Sequence, residues 1–339
     1  QYKNMGQTSN KGVELQLDAI VVDAKDFGLN FNFNISYNRG KIDKLNGSSF
    51  WQSSSWAGTA AAGIEDFLVE EGGRLGEVYG YKTDGFYTAN DFTFDAEKGT
   101  YALKEGVNDC SSLIGGKVYP GSIKLKANED GEYKKERLGN TVPTVSGGFG
   151  LNARWKGFDF TAFFNYSLGN KIVNATKLGS SFYSGSSKNW NINDHFTSAS
   201  RYSWIDSSTG TNLLSSASIK ANGEAWTINR LNEINSNASI WNPAAATVMP
   251  LVDWAVEDGS FLRVNNITIG YTLPKLLVNK LNIQNIRIYV TGYNLHCFTK
   301  YSGTDPEVDC CTSTPMTPGI DYAAYPKSRS FVGGINVTF

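Results

Sequence analysis

Strict alternation of apolar and polar side chains marks several long stretches of this chain. Residues 27–38 read FGLNFNFNISYN, with apolar or aromatic side chains at the odd positions and glycine, asparagine or serine at the even ones. Successive side chains of a β-strand point to opposite faces, so this stretch predicts a strand with one oily and one polar face. The alternation outlasts an ordinary strand of about 5–6 residues. It fits the ~9–11 residues with which a tilted barrel strand crosses a bilayer.

Six more stretches follow the same rule, namely 11–22, 147–155, 158–168, 261–273, 286–295 and 331–339. Short connections join the strands in pairs, whereas long segments rich in Ser, Gly, Asn and Trp separate the pairs, at roughly 39–74, 88–144, 170–258 and 296–329. Long segments without structure of their own are uncommon in a compact soluble domain. A membrane barrel tolerates them, because its short turns face the periplasm and its long loops face outward. The pattern therefore predicts an all-β fold, an antiparallel transmembrane β-barrel with long extracellular loops.

The direction of the strands gives a parity test. With the long loops outside, strand 11–22 and strand 331–339 both run inward, and the C-terminus lies in the periplasm. Two candidate strands, within 75–87 and 119–126, would add as a pair and leave the total odd. Bacterial single-chain barrels close with an even number of strands. We therefore expect the barrel to need strands from outside this chain.

The polar faces of these strands predict a wet interior. Asn30, Asn32, Asn34 and Asn165 all fall on polar positions of the alternation. Against a dry core each amide would need hydrogen-bond partners, whereas a water-filled lumen satisfies it. We therefore predict that these four side chains face the lumen.

Composition and charge narrow the function classes. The 31 basic and 32 acidic residues leave no basic surface for nucleic acid. No apolar run reaches the ~18–20 residues that a membrane helix requires. The 35 glycines and 13% aromatic residues suit a barrel, whose strands are only about half apolar.

A family resemblance covers residues 4–339 in order. The stretches NMGQTSNKGVELQL, GEVYGYKTDGFY, WKGFDFTAFFNYSLGN, DGSFLRVNNITIGYTLP and the closing YPKSRSFVGGINVTF resemble the SusC/RagA-type TonB-dependent transporters of Bacteroidetes outer membranes. The resemblance implies that residues 1–339 are the C-terminal part of a 22-stranded barrel, with the plug and the N-terminal strands absent from this chain.

The same resemblance implies a function and partners. It implies TonB-dependent import of oligomeric nutrients, glycan or oligopeptide, across the outer membrane together with a SusD-like surface lipoprotein. TonB would act through an N-terminal region that is not in this chain, and the barrel wall would contact outer-membrane lipid and the remainder of the same barrel. The aromatic residues Phe331 and Phe339 of the last strand resemble the C-terminal signal read by the outer-membrane assembly machinery.

No constellation in the sequence predicts catalysis, a cofactor or a metal site. His195 and His296 are the only histidines, and neither stands beside a nucleophile or a second ligand. The stretch KANEDGEYKKER at 126–137 resembles a calcium loop, but its leading Asp is missing and Lys134-Lys135 interrupt it. The four cysteines, Cys110, Cys297, Cys310 and Cys311, show no metal spacing, and both a Cys110 bridge to the vicinal pair and unpaired thiols remain open.

Aromatic side chains in the long segments are candidate contact residues, namely Trp51, Trp56, Tyr183, Trp190, Trp204 and Trp241. Exposed aromatic rings stack on sugars, grip peptides or pack against a partner protein. They could equally pack among themselves and order the loops, and the sequence leaves these alternatives open.

The sequence leaves two alternative function classes open. An outer-membrane β-barrel enzyme would need acidic, His or Ser groups clustered at outward strand ends, and none is apparent. A soluble β-rich glycan-binding module would be monomeric without detergent, so solubility separates it from a barrel.

Overall fold

The largest element of the computed structural model is a seven-stranded antiparallel sheet. The structure describes residues 6–53, 65–183, 191–278, 283–310 and 315–339. In order across the sheet, the strands are β1 (Gly6–Asp23), β2 (Phe27–Leu45), β3 (Val145–Trp155), β4 (Phe158–Leu168), β5 (Phe261–Thr272), β6 (Asn285–Thr299) and β7 (Ser330–Thr338). All seven predicted strands are confirmed, and each long strand pairs with the next along the chain.

Strands β1 and β2 are longer than the pattern predicts. Their pairing continues past the alternating region to Gly6 opposite Leu45, with a register shift between Gln7 and Thr8. Residues 39–45 carry polar and charged side chains on both faces, so the alternation ends there although the backbone ladder does not. Backbone hydrogen bonds need no particular side chain, and the sequence pattern could not report this extension.

The strand register brings the predicted apolar positions together. Phe31 of β2 lies opposite Ala19 of β1 and Leu151 of β3, and Leu151 lies opposite Ala162 of β4. A slip of one residue would move every side chain of a strand to the opposite face of the sheet. The observed register therefore fixes two distinct surfaces. We call them the apolar face, which carries Phe31, and the polar face, which carries Asn30, Asn32 and Asn34.

The apolar face carries exposed side chains from β1 to β7. Val13 of β1, Ile269 of β5 and Phe331 of β7 expose 71%, 56% and 70% of their surface. A row of aromatic rings crosses its short-turn end, where Phe158 lies 4.5 Å from Tyr271, centroid to centroid. Contiguous exposed apolar surface of this extent marks an interaction site and is not found on an ordinary soluble monomer.

The width of the apolar face matches a bilayer. On β2 the face begins at Phe27 and reaches Tyr37, ten residue steps further, which is ~33 Å of strand. Tilted by ~40°, such a strand spans a band about 25 Å tall, the height of the apolar band on outer-membrane barrels.

The three long connections fold together at the other end of the sheet. They follow β2, β4 and β6 and comprise the described residues of 46–144, 169–260 and 300–329, which we call the loop domain. Its short strands are Phe50–Ser53, Glu65–Val69, Glu77–Gly80, Thr83–Phe86, Phe92–Asp95, Thr100–Leu103, Ile123–Leu125, Glu136–Asn140, Lys171–Asn174, Ile205–Asp206, Thr211–Asn212, Val256–Asp258 and Ile320–Asp321. The candidate strands within 75–87 and 119–126 form here and do not join the seven-stranded sheet.

Apart from α3, the described helices are short, and most lie in the loop domain. The α-helices are α1 (Ser111–Ile114), α2 (Ala175–Gly179), α3 (Ser216–Ile234) and α4 (Lys275–Val278), and the 3₁₀ helices are Ala89–Asp91, Pro243–Ala245 and Asp253–Ala255. Helix α3 starts at the N-cap Ser215, whose side chain accepts from the Ser218 amide, and Gly223 interrupts it with φ 77°. In the described residues, none of these helices is long and apolar enough to cross a membrane.

The loop domain has a hydrophobic core of its own. Buried side chains from all three connections form one cluster, including Tyr87, Leu231 and Ile320. Distant segments are also tied by hydrogen bonds, as where Asp253 Oδ1 accepts from the Thr83 amide at 3.0 Å and from Thr83 Oγ1 at 2.8 Å. The expectation of structureless long segments is therefore wrong. Apolar residues here are spread irregularly over short strands, so no periodicity in the sequence predicts this core.

Candidate functional site: the polar face and the loop domain

The four predicted lumen asparagines lie on the polar face of the sheet. Asn30 and Asn34 are exposed and Asn32 is half-buried. Asn34 Oδ1 accepts a hydrogen bond from the Gly148 amide at 3.1 Å. Asn165 lies in the same row, opposite Gly148, and its Nδ2 is 3.5 Å from Glu307 Oε1. The structure thus brings these residues to one surface, and their contact with lumen water stays a prediction.

A row of paired charges crosses the polar face near the short turns. Arg154 of β3 contacts Asp23 of β1, skipping the strand between them. In the same way, Arg287 Nε of β6 donates to Asp159 Oδ1 of β4 at 2.9 Å, and Arg287 Nη2 donates to Asp159 Oδ2. We call Asp23, Arg154, Asp159 and Arg287 the charged row.

Glycines make these skipped-strand contacts possible. Gly28 lies between Asp23 and Arg154 in the register, and Gly270 lies opposite Asp159. A Cβ on Gly28 would collide with the Arg154 side chain, and one on Gly270 would lie 2.6 Å from Arg287 Nη2. Because these two positions carry no side chain, each arginine can extend across the intervening strand to its carboxylate partner.

A buried ionic cluster joins the polar face to the loop domain at the opposite end of β5. The Arg263 side chain, 5% exposed, donates from Nη2 to Asp305 Oδ1 at 2.6 Å and from Nε to Glu307 Oε2 at 2.5 Å. Lys327 Nζ adds a contact of 2.8 Å to Glu307 Oε2. Paired and hydrogen-bonded on all sides, the cluster fixes the third connection to the wall.

Among the predicted contact aromatics, Trp51 and Tyr183 remain accessible. Trp51 is half-buried, packs edge-on against Tyr79 and lies under Lys135 Nζ, which is 4.8 Å from its ring centroid. Tyr183 is 52% exposed. These side chains fit either loop packing or contact with another molecule. Trp56 and Trp190 lie outside the described residues.

Trp204 and Trp241 are fixed by packing within the loop domain. Trp204 is half-buried, and its Nε1 donates to the Pro120 carbonyl at 2.6 Å. Trp241 is 4% exposed, lies 5.0 Å from Trp254 and donates from Nε1 to the Ser181 carbonyl at 3.1 Å. For Trp241 this is the packing alternative that the sequence left open, because a buried ring cannot meet a partner at the surface.

An ion pair ties α3 to the short strand Ile205–Asp206 within the loop domain. Arg230 Nε and Nη2 donate to the two Asp206 carboxylate oxygens at 2.6 and 2.9 Å. This guanidinium holds the pKa of the Asp206 carboxyl well below its usual range. By contrast, burial raises the pKa of the Asp321 carboxyl, which accepts from Tyr301 Oη at 2.6 Å.

The other candidate motifs have structural partners. His195 Nδ1 contacts the side chains of Asn193 and Asp194 in an exposed turn. Asn128 Oδ1 accepts from the amides of Asp130 and Glu132, so it closes a turn. Among the residues that the structure describes, no group of three or more His, Cys, Asp or Glu side chains could hold a metal ion.

The cysteines do not form the bridge that the sequence allowed from Cys110. Cys110 is a free, buried thiol beside Tyr87, whose Oη lies 3.5 Å from Sγ. Cys297 and Cys310 are half-buried, and Cys311 lies outside the described residues.

Sequence reasoning missed the charged row and the buried ionic cluster. Parity alone would have placed Arg154 and Asp159 on the polar face, since both occupy polar positions of their strands. Pairing across an intervening strand needs the register and the glycines at 28 and 270, which only the folded sheet reveals.

Comparison with known proteins shows similarity to TonB-dependent receptors. It is 28% identical, over its full length, to TonB-dependent receptor P3 of Formosa agariphila, and it covers 29% of that protein. It is 23% identical over 99% of its length to TonB-dependent receptor SusC of Bacteroides thetaiotaomicron, and it covers 27% of that protein. Over almost its whole length the chain is thus similar to TonB-dependent receptors, SusC among them. The resemblance found in the sequence is thereby confirmed, although no family model matches.

Solved structures confirm the fold. The structure of the RagAB peptide transporter matches 100% of the chain with a TM-score of 0.59 at 22% identity, and 30% of that transporter chain is covered. The RagAB peptide importer in its open-open state gives a TM-score of 0.58 at 23% identity. The chain therefore has the fold of a C-terminal portion of a TonB-dependent transporter barrel, and it spans less than a third of the relatives that it matches.

Proposed function

We propose that residues 1–339 form a C-terminal part of the barrel of an outer-membrane, TonB-dependent importer of oligomeric nutrients. The observation that carries this proposal is the seven-stranded sheet with an exposed apolar face, a polar opposite face and all long connections at one end. Lipid would cover the apolar face, and substrate would pass along the polar face. The remaining barrel strands, a plug and a TonB-contacting segment would come from the rest of the receptor.

The two ends of the sheet support an orientation. The loop domain would lie outside the cell, and the short turns near Lys156 and the end of β7 would lie in the periplasm. Loops with an ordered core form a rigid platform for a SusD-like lipoprotein that delivers glycan or oligopeptide. Trp51 and Tyr183 are the aromatic side chains available for such contacts.

The rival function classes receive less support. The relatives are receptors by name and not enzymes. A soluble glycan-binding module would have to expose apolar side chains such as Val13, Ile269 and Phe331 to water. It would forgo a favourable free energy of about 25 cal/mol for each Å² of apolar surface left unburied.

Topology labelling of the full-length receptor tests the proposal. Single cysteines are placed at Tyr183 in the loop domain and at Lys156 in a short turn of a receptor whose native cysteines are replaced by serine. Intact cells are then treated with a membrane-impermeant maleimide. Tyr183→Cys should be labelled on intact cells, and Lys156→Cys only after the outer membrane is permeabilised. The reverse labelling pattern, or a receptor that is soluble without detergent, would contradict the proposal.

A growth experiment tests import separately. Cells lacking the gene are compared with wild-type and complemented cells on single polysaccharides as carbon source and on a peptide digest as nitrogen source. We expect the deletion to abolish growth on one nutrient and the full-length gene to restore it only when TonB is present. Unimpaired growth of the deletion strain on every nutrient would remove the support for an import role.

A further inference from the structure

We propose that basic side chains at the loop-domain end of β1 and β2 bind the phosphate group of outer-leaflet lipid A. Lys11 of β1 and Arg39 and Lys41 of β2 carry this site, which we call the basic patch. The inference rests on the proposed function, because the orientation of the sheet decides which leaflet the basic patch meets. It adds a lipid ligand on the outside of the wall.

The basic patch lies on the same face of the strands as the apolar side chains. Pairing on β2 is continuous up to Ile42, so Arg39 and Lys41 share the face of Tyr37. Ile42 itself points to the other face and is 2% exposed. Arg39, Lys41 and Lys11 are all exposed. A plug within the lumen would meet the polar face, so it would not cover these cations.

The basic patch begins where the apolar band ends. Arg39 follows Tyr37 by two residues, and Lys11 precedes Val13 by two. Two residues advance a strand by ~7 Å, which is about 5 Å across the membrane at a tilt of ~40°. The cations therefore lie just beyond the hydrocarbon, at the level of the lipid headgroups.

The arrangement of charges in the basic patch calls for an anion. Lys11 lies directly opposite Arg39 in the ladder, and Lys41 follows on the same face. Like charges directly opposite each other destabilise a sheet. Within the described part of the chain these three cations form no ion pair, whereas arginines of the polar face, such as Arg154 and Arg287, contact carboxylates. An anion bound among the three cations would remove the repulsion.

Strands from outside this chain do not adjoin Arg39 and Lys41. Along this stretch β2 pairs with β1 on one side, and on the other side the Ile42 amide donates to the Gly73 carbonyl at 2.9 Å. The next acidic residue along β2 is Asp43, which follows at the break in register and forms no ion pair in the described chain. The positive charge of β2 is therefore a property of this chain.

A phosphate monoester fits the spacing and charge of the basic patch. The Cβ atoms of directly opposite residues are about 4.5–5.5 Å apart, so Lys11 and Arg39 reach one anion between them. The planar arginine fork binds two phosphate oxygens, and each lysine adds a point charge. A monoester carries a charge of about −1.5 to −2 at neutral pH, more than the single charge of a phospholipid diester. Lipid A is the lipid that presents such a monoester in the outer leaflet.

Native mass spectrometry of the full-length receptor in detergent tests the site. The probes are lipid A with one phosphate, the same lipid A with that phosphate removed, phosphatidylglycerol and inorganic phosphate. The wild type is compared with the double variant Arg39→Gln, Lys41→Gln and with Arg39→Lys. Lys25→Gln is the matched control, because Lys25 is exposed in the same β1–β2 hairpin but lies at its short-turn end.

We expect the wild type to bind phosphorylated lipid A roughly tenfold more tightly than the dephosphorylated form, the effect of charge-assisted hydrogen bonds. The double variant should lose this preference, and Lys25→Gln should retain it. Arg39→Lys should keep part of it, because the charge remains and the fork is lost. Without lipid the double variant should melt no lower than the wild type, since the substitutions relieve like-charge repulsion, and this melt checks its folding.

Several results would overturn the proposal. These are equal affinity for the two forms of lipid A, an unchanged preference in the double variant, and an equal loss in Lys25→Gln. Tighter binding of phosphatidylglycerol would indicate a phospholipid site. Inorganic phosphate that binds as tightly as lipid A would indicate a site for free phosphate.

The outcomes separate the basic patch from the proposed function. A receptor that restores nutrient growth yet binds both forms of lipid A equally would refute the basic patch and leave the import role intact. Labelling of Lys156→Cys in place of Tyr183→Cys on intact cells would reverse the orientation and refute the proposal on which the basic patch depends.

Discussion

At the scale of single residues, two glycines decide where charged side chains lie on the sheet. At Gly28 and Gly270 the polar face carries no side chain, and the arginines of the charged row cross the gap to carboxylates. Glycine otherwise weakens a strand, because it costs more conformational entropy and packs nothing. Its presence in β2 and β5 is therefore explained by the arginine side chains that cross it.

Alanine at Gly28 or Gly270 should destabilise the sheet by about 1–3 kcal/mol, since the added methyl displaces a paired side chain. Urea unfolding of the full-length receptor in lipid vesicles measures this change. Gly333→Ala is the matched control, because its nearest neighbour would be the Tyr289 carbonyl oxygen at 3.9 Å, an ordinary contact. Equal stability of all three variants would show that the skipped-strand pairs contribute nothing.

The ion pair between Asp206 and Arg230 predicts that the stability of the loop domain depends on pH. The pKa of Asp206 is lowered in the folded state by Arg230. The pair therefore stabilises the fold fully above the ordinary carboxyl pKa of about 3.9, and this contribution is lost as the pH falls towards the lowered folded pKa.

Asp206→Asn should lower the thermal stability of the loop domain at pH 7 and flatten its fall below about pH 4. Thermal melts of the full-length receptor, followed by tryptophan fluorescence from pH 7 to pH 2, test this expectation. Asp194→Asn, whose side chain is 95% exposed, serves as the control and should leave the profile unchanged. A profile of Asp206→Asn that parallels the wild type would refute the expectation.

At the scale of elements, the sequence predicts the long strands of the sheet but not the short strands and helices of the loop domain. Both results have the same physical reason. A strand of the sheet separates apolar from polar side chains, so β4 shows its full bounds in the alternation. The short strands of the loop domain bury side chains on irregular surfaces, as Phe67 and Val78 do, and leave no period to detect. Helix α3 buries few side chains, among them Ile219 and Leu231, so its helical pattern is equally weak.

Removing the Arg263 side chain should release the third connection from the wall. Arg263→Met leaves Asp305 buried and unpaired, and breaking a buried ion pair costs about 3–5 kcal/mol. We expect faster hydrogen exchange and proteolysis within 300–329, with the apolar face unaffected. Lys327→Met, at the half-exposed rim of the same cluster, should cost about 1 kcal/mol or less. Unchanged exchange in Arg263→Met would show that the cluster does not hold this connection.

At the scale of the whole molecule, the wall could be predicted from the sequence and the candidate site only in part. Parity placed Asn30, Asn32, Asn34 and Asn165 on one surface because alternation is a local property. The charged row and the burial of Trp241 depend on which strands and connections become neighbours, which is a property of the complete fold.

The last strand predicts an assembly defect. Phe339 is 81% exposed at the end of β7, on the same face as Phe331. We expect deletion of Phe339 to reduce the amount of receptor in the outer membrane several-fold while import per assembled receptor stays unchanged. Quantitative outer-membrane fractionation and uptake measurements test both parts. Normal assembly of the truncated receptor would remove the case for an assembly signal at this residue.

The interwoven core of the loop domain has a consequence for the order of folding. Contacts such as Thr83 with Asp253 and Val173 with Ile320 join residues far apart in the chain, and contacts of this kind form slowly because long loops must close first. The core cannot be completed until its third connection has emerged. A receptor truncated at the end of β6 lacks this connection, so it would expose apolar surface in its loop domain, where chaperones and proteases can recognise an unfinished molecule.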